Sequence, residues 1–345
     1  IIVLILRPEA LFGPGFQMSF AATTALVAVF GWIRDSEIQL GPKWVQPFVV
    51  LVISSGIAGL ATAPIGAAHF NTMAHYGLIA NLLSVPLMGI VIIPSAVLAA
   101  VLALFGLEGV GLWVMGAGLR WILGVSQWVA ELEEARGYVM GPSPSVLPIL
   151  AIGGLWLIIW QGRLRILGVA PIVASFFIWA TGERPRVLIA DNGALIGVMT
   201  DDGRALSKEK GAGFVARNWL ETDGDPSTQI RSSKLWGAGE QRVKHAQVDK
   251  YKLVHLIGKK AVEAQRSCQA GKIIVASVKV EQDLGPCLIL DPETLRAHGS
   301  VGLYLVQGET KFISARDVSG DRIWSAWPEE KRTKKADHQT RPFLN

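Results

Sequence analysis

The stretch "ATAPIGAAHFNTMAHYGLIANLLSVPLMGIVIIP", residues 61–94, decides what kind of fold the chain adopts. It is too apolar for a surface loop and too interrupted for an ordinary membrane-spanning helix. Pro64, Pro86 and Pro94 break the helical hydrogen-bond ladder, while His69, Asn71, His75 and Asn81 add hydrogen-bonding side chains. A proline inside lipid frees backbone groups that hydrocarbon cannot satisfy, so such breaks survive only where protein or trapped water supplies partners. Polar side chains at that depth face a bundle interior or an aqueous path. Discontinuous helices with polar groups at the break are a common design of transport sites. The stretch therefore reads as the lining of a translocation path, with Ser84 as a further polar contributor. The alternative is that each His or Asn simply bonds a neighbouring helix. A metal site is the poorer reading, because His69 and His75 lie six residues apart, off one helical face, with no Asp, Glu or Cys nearby.

Working outward, the chain divides in two. Its mean hydropathy is +0.38 with 18% charged residues, too apolar for a water-soluble protein of this length. Residues 1–183 hold seven Lys and Arg against eight Asp and Glu, whereas residues 184–345 hold 26 against 20. A membrane half of net charge −1 thus joins a water-soluble half of net charge +6. The expected fold is a polytopic α-helical membrane domain (1–183), then a mixed α/β soluble domain (184–328) and a disordered charged tail (329–345). The chain opens "IIVLIL", inside an apolar run and without a charged leader, and reads as the C-terminal part of a longer protein.

A bilayer core needs roughly 20 apolar residues per helix. Residues 1–6 read as the end of one span, and 16–33 and 45–63 as two more. In the latter, Ser54, Ser55, Gly56 and Gly59 invite close helix packing. Residues 74–107 are too long for one span, and Pro86 and Pro94 are expected to cut them into broken or re-entrant helices. Residues 146–160 and 166–180 are two further spans. In 109–137, Arg120, Gln127, Glu131 and Glu134 fall within about 60° of one another on a single helical face. That pattern suits a helix lying along the interface, with Trp113, Trp121 and Trp128 near the headgroups. The alternative is a span whose polar face is buried against its neighbours. Arg163 and Arg165 flank a very short turn, and the preceding loop is acidic, so the positive-inside rule puts that turn in the cytoplasm. The soluble half then lies on the outer face of the inner membrane, the periplasm in a Gram-negative cell.

The segment "PGFQMSFAATTALV" (14–27), which contains Gln17, resembles the "GFQLSF" stretch of the ComEC-type competence proteins. Residues 64–94 resemble the next hallmark of that family at Pro64, His69, Phe70, Asn81, Leu82, Leu83, Pro86, Leu87 and Pro94. The resemblance is good over residues 1–107 and rests on order and hydropathy over 108–180. It implies a multi-pass channel that carries single-stranded DNA across the inner membrane during natural transformation, in contact with membrane lipid, a cytoplasmic motor and an outer-face DNA receptor. Self-association into a homo-oligomer is left open. Rival readings are a small-solute transporter, a membrane-anchored nuclease, and a docking platform.

In the soluble half, "RPRVLIADNGALIGVMTDDGRAL" (184–206) reads as two strands around a turn at Asp191-Asn192-Gly193, with a second turn at Asp201-Asp202-Gly203. A helix is expected within 211–225, strands at 251–258, 272–278, 287–291 and 302–306, and a helix over "KAVEAQRSCQAG" (260–271). Many members of the family carry a metallo-β-lactamase-like domain here, with a His-x-His-x-Asp-His cluster for two metals. This chain departs from that pattern. His245, His255, His298 and His338 are scattered, so the domain reads as a reduced, metal-free relative or an unrelated replacement. Asp191, Asp201 and Asp202 are better explained by turn chemistry than as ligands. No Walker-type phosphate loop and no Ser/His/Asp grouping occurs, no cofactor is expected, and enzymatic activity is left open. The positive charge suits polyanions, with Lys208, Lys210, Arg217, Lys259 and Lys260 as DNA-contact candidates, joined by Lys331, Arg332, Lys334 and Lys335 of the tail. The alternative is a solvated surface, since acidic residues are interspersed. Cys268 and Cys287 read either as a disulfide, if this half faces an oxidising compartment, or as two small buried hydrophobes.

Overall fold

The computed structural model describes residues 2–237, 242–306 and 309–320. The expected disordered tail, His338 and the tail's basic residues lie outside these. The chain divides into two compact units, Ile1–Gly182 and Glu183–Asn345.

The first unit is helical: α1 (Ile2–Leu6), α2 (Pro14–Asp35), α3 (Gln46–Phe70), α4 (Gly77–Leu87), α5 (Ile93–Leu102), α6 (Glu108–Ala130), α7 (Val146–Ile159) and α8 (Val169–Ala180). Among the described residues, five helical stretches are long and apolar enough to cross a membrane: Pro14–Asp35, Gln46–Phe70, Gly77–Phe105, Glu108–Ala130 and Arg163–Ala180. α7, with 14 residues, is a shorter apolar helix.

The prolines do not cut the helices as expected. Pro64 sits inside α3 without ending it. Between Pro86 and Pro94 the helix continues through a π-helical turn, Met88–Ile92, so Gly77–Phe105 runs as one element. The wider turn absorbs the two missing N–H donors by shifting the hydrogen-bond register. Ile93 N donates five residues back to the Met88 carbonyl. Hydroxyls within the spans also turn inward on their own helices. Thr62 donates to the Ala58 carbonyl at 2.8 Å, Ser54 to Leu51 at 3.0 Å and Ser95 to Ile92 at 3.0 Å. Such back-bonding removes the cost of a hydroxyl in hydrocarbon.

Glycines set the close approaches, but not those expected on α3, where Gly56 and Gly59 face open space. A Cβ on Gly111 would lie 2.7 Å from backbone atoms of Ala99, and one on Gly118 would lie 2.7 Å from Ile92 Cγ1. α6 therefore runs antiparallel to α5 along a seam of Gly111, Gly118 and Val125, all buried. Arg120 and Gln127 face away from that seam and are exposed. This lengthwise pairing is that of a helical hairpin, and the polar stripe is not buried against neighbouring helices. α7 and α8 approach as closely, where a Cβ on Gly153 or Gly168 would lie 2.7 Å from the other's carbonyl.

A two-stranded antiparallel ribbon, β1 (Thr72–Ala74) and β2 (Arg136–Tyr138), crosses one end of this unit. Ala67 near the end of α3, Val146 at the start of α7 and Trp179 at the end of α8 cluster beside it. A groove of about 1000 Å³ runs along α2 from Ser19 to Asp35 and, at the end opposite the ribbon, brings Asp35 together with Leu157, Ile158 and Arg165. Arg34, Arg163 and Arg165 therefore share the end remote from the ribbon.

The second unit contains β3 (Val187–Ile189), β4 (Ile196–Thr200), β5 (Gly203–Leu206), α9 (Gly213–Asp223), α10 (Gln229–Lys234), β6 (Val243–Val248), β7 (Tyr251–Leu256), α11 (Lys259–Ala264), β8 (Lys272–Ala276), β9 (Leu288–Leu290), α12 (Pro292–His298), β10 (Val301–Val306), β11 (Glu309–Ser314) and α13 (Ala315–Ser319). The two strands expected in 184–206 are three, because the second Asp-Gly turn also closes a hairpin. The helix expected over 260–271 ends at Ala264, since the following segment is held by a disulfide between Cys268 and Cys287. The cysteines are thus bonded, not merely buried.

An antiparallel sheet of order β11-β10-β3-β4-β5 faces a mixed sheet of order β6-β7-β8-β9. Val187, Ile189, Ile196 and Val198 of the first interleave with Leu253, Ile273, Val275 and Leu290 of the second. Alternate side chains on the far faces meet helices: Leu206 joins Trp219 and Leu220 of α9, and Val254, Leu256 and Ile274 join Ala261 and Val262 of α11. The layers run helix, sheet, sheet, helix.

Candidate functional site

The polar residues of 61–94 collect at the ribbon end of the helical unit and do not line the length of a span. Asn71 ends α3 in the left-handed conformation (φ 55°), which Asn tolerates and which turns the chain out of the helix. Its carbonyl accepts from Val139 N at 2.9 Å, and its Nδ2 donates to the Val139 carbonyl at 3.4 Å. β1 then pairs with β2 in the register Thr72↔Tyr138, Met73↔Gly137 and Ala74↔Arg136. Residues 136–138 carry no strand signal of their own; the ribbon forms because both segments need backbone partners where two helices stop.

His69, in the last turn of α3, lies 2.8 Å through Nε2 from Oε1 of Gln17 in the first turns of α2. Gln17 Nε2 donates to the Leu11 carbonyl at 3.0 Å, so its Oε1 is the acceptor and the His69 proton is on Nε2. His75 follows β1, its N–H donating to the Ala135 carbonyl at 3.2 Å and its ring lying over Gly137. Tyr76 Oη donates to the Glu133 carbonyl at 3.3 Å. Asn81 is exposed in the second turn of α4, and Ser84 lies one turn further. Trp121 of α6 donates to the Leu83 carbonyl at 3.2 Å. Beyond Ser84, the helix around Pro86 and Pro94 carries no polar side chain until Ser95, which bonds its own helix. Pro64, Pro86 and Pro94 therefore shape the helices and stand apart from the polar group. Sequence reasoning missed Gly137 and the 136–138 strand, which is too short to carry a local signal.

In the second unit, His255 is fully buried between the sheets. Its Nε2 donates to the Gly193 carbonyl at 3.0 Å, and its Nδ1 accepts from Ser207 Oγ at 2.9 Å. Ser207 Oγ in turn accepts from Ile196 N at 3.0 Å. Burial pushes the His255 pKa down to about 4, the Gly193 hydrogen bond opposes this, and the Lys208 charge adds to it. A neutral imidazole thus ties the turn after β3, the end of β5 and β7 together. Asn192 Oδ1 accepts from Ala194 N at 2.9 Å, and a Cβ on Gly193, which has a positive φ of 64°, would collide with the Ala276 carbonyl, so turn geometry accounts for this segment.

The two-metal set implied by the resemblance does not fit. Among the described residues no three His, Cys, Asp or Glu side chains converge. His255 is engaged on both nitrogens, while His245 lies on β6 and His298 ends α12. A buried pair between Arg204 of β5 and Asp223 of α9 holds α9 to its sheet, with Arg204 Nη2 donating to Asp223 Oδ1 at 2.9 Å and to the Pro185 carbonyl at 3.2 Å.

Of the basic candidates, Lys208 and Lys210 leave β5, and Lys259 and Lys260 begin α11 beyond β7, at the edge where the Ser207–His255 bond joins those strands. Burial lowers the Lys208 pKa. Lys259 lies 3.7 Å from Glu263, and Arg217 is exposed on α9.

The Competence protein family model matches residues 1–164. "ComE operon protein 3" of Bacillus subtilis (strain 168) is 27% identical over 154 residues, covering 44% of this chain and 19% of that protein. The chain thus matches less than a fifth of that relative's length. No solved structure matches. Residues 1–164, which hold α1 to α7 and the whole polar group at the ribbon, are similar to competence proteins.

Proposed function

We propose that the chain is a component of the machinery that passes single-stranded DNA across the inner membrane during natural transformation. The observation that carries this is the polar mouth where Gln17 and His69 at helix ends meet Asn71 and His75 on non-helical backbone, inside the segment matched by the Competence protein family. Irregular backbone at the end of a helical bundle is stable where it lines a wet entrance. The strand enters at this mouth, passes the amide of Asn81, and leaves beside Arg34, Arg163 and Arg165, the cytoplasmic end by the positive-inside rule. α8 ends at the mouth, so the chain enters the second unit on the outer, periplasmic side. The Cys268–Cys287 disulfide supports that side, because such bonds persist in oxidising compartments. The helix–sheet–sheet–helix layering supports a reduced relative of the metallo-β-lactamase-like domain, acting as a guide or docking surface without metal chemistry. A cytoplasmic motor and an outer-face DNA receptor complete the path. The test is uptake of labelled DNA by cells carrying His69→Ala or Asn81→Leu at normal protein level. Reduced uptake in both is expected, and full uptake in both removes the role.

A further inference from the structure

We propose that the uncovered half of the outer face of the mixed sheet binds the phosphodiester backbone of a single nucleic-acid strand. The substrate rests on the DNA reading above; the site does not coincide with any of the basic residues that reading singles out.

β6, β7 and β8 present alternate side chains to this face. Their register places Gln247 beside Lys252 and Lys252 beside Lys272 in one row, with His245, Val254 and Ile274 in the next. α11 covers the far half of the face, where Val254, Leu256 and Ile274 pack on Ala261 and Val262. The near half carries a trough of about 390 Å³ rimmed by Lys252, Lys272, Gln265 and His245, with the buried Val254 and Ile274 beneath it.

Neighbouring strands lie about 5 Å apart, so the two lysines are held as a like-charged pair, an arrangement that is unfavourable by itself. Two other exposed lysines of the unit do have carboxylate partners, Lys259 with Glu263 at 3.7 Å and Lys279 with Glu293 at 3.0 Å. Among the described residues no carboxylate lies within 4.0 Å of Lys252 or Lys272. The wall beside them is also fixed. Lys252 N donates to the Gly271 carbonyl at 3.2 Å, Lys272 N to Gln269 at 3.2 Å, and Cys268 in the same segment is bonded to Cys287. A rigid trough with two unneutralised cations on its rim takes its counter-charge from outside. An exposed imidazole beside a basic row supplies elements by which proteins hold a single strand, phosphates on the cations and a base on the ring.

The test uses the full chain in detergent and a fluorescent oligothymidylate of about 16 nucleotides. Lys252→Gln with Lys272→Gln is expected to weaken binding on the order of tenfold and to lower the slope of log affinity against log salt by about 1.4, two phosphate contacts' worth. Lys252→Arg with Lys272→Arg is expected to retain both, which a folding defect in the Gln pair would not explain. Unchanged affinity and slope in the Gln pair overturn the groove while leaving the DNA role standing. A wild-type chain that binds no oligonucleotide, in cells whose uptake still depends on His69, also overturns the groove alone. Loss of binding to anionic phospholipid vesicles with oligonucleotide binding intact overturns it in favour of a lipid surface.

Discussion

Gln17 accepts a hydrogen bond from His69 at 2.8 Å, across 52 residues of sequence. The bond ties the start of α2 to the end of α3 and fixes the imidazole at the ribbon mouth. Hydrogen bonds between helices in membrane proteins average about 0.6 kcal/mol. Gln17→Leu and His69→Ala should each destabilise the helical unit by that order, and the double variant by no more than the larger single change. A double-mutant cycle on unfolding in mixed micelles measures this. Fully additive losses would mean the two side chains do not act together.

The glycine seam makes a sharper contrast. A methyl at Gly111 meets the backbone of Ala99 at 2.7 Å, and backbone cannot swing aside. Gly111→Ala should cost about 1–3 kcal/mol. Gly124, on the same helix, faces open space, and Gly124→Ala should be neutral or stabilise by up to about 1 kcal/mol through helix propensity. Equal effects at the two positions would rule out the seam as the α5–α6 contact.

His255 should make the second unit acid-sensitive. Its pKa is about 4 when folded and near 6.5 when unfolded. Below 6.5 the unfolded chain binds the extra proton, so the contribution is complete above that pH and is lost as pH falls toward 4. Over the whole window the loss is about 3 kcal/mol. Protection factors of β7 amides, exchange rates corrected for the intrinsic pH dependence, should fall between pH 7 and pH 5, and His255→Gln should flatten that dependence. An unchanged profile in the variant would assign the acid sensitivity to other groups.

The disulfide closes a loop of 19 residues. Cys268→Ser with Cys287→Ser should lower stability by about 3 kcal/mol. Thermal unfolding with and without reductant reads the effect, which should vanish in the double variant. Alkylation of both thiols in protein isolated without reductant would contradict the bond and remove its support for the outer face.

Hydropathy and charge alone placed apolar helices ahead of a mixed α/β region and picked out the strands at 251–258 and 272–278. Each is a property of a dozen or so neighbouring residues, and burial selects for it locally. Missed elements carry weak local patterns: β6, Val-Lys-His-Ala-Gln-Val, sets Lys and His side by side and lacks a clean apolar alternation, and 136–138 is too short to signal. α12 was readable, since Asp291 before Pro292 caps it and accepts from Thr294 N at 2.9 Å. Prolines were the misleading signal, because a π-helical turn keeps a helix continuous where counting donors predicts a gap. Only the tertiary structure joined Gln17 to His69, Asn71 to Val139, Arg204 to Asp223 and Lys252 to Lys272. Those pairs depend on which element ends lie together, and that is settled by glycine contacts and sheet register between segments far apart in the chain, which no local window contains.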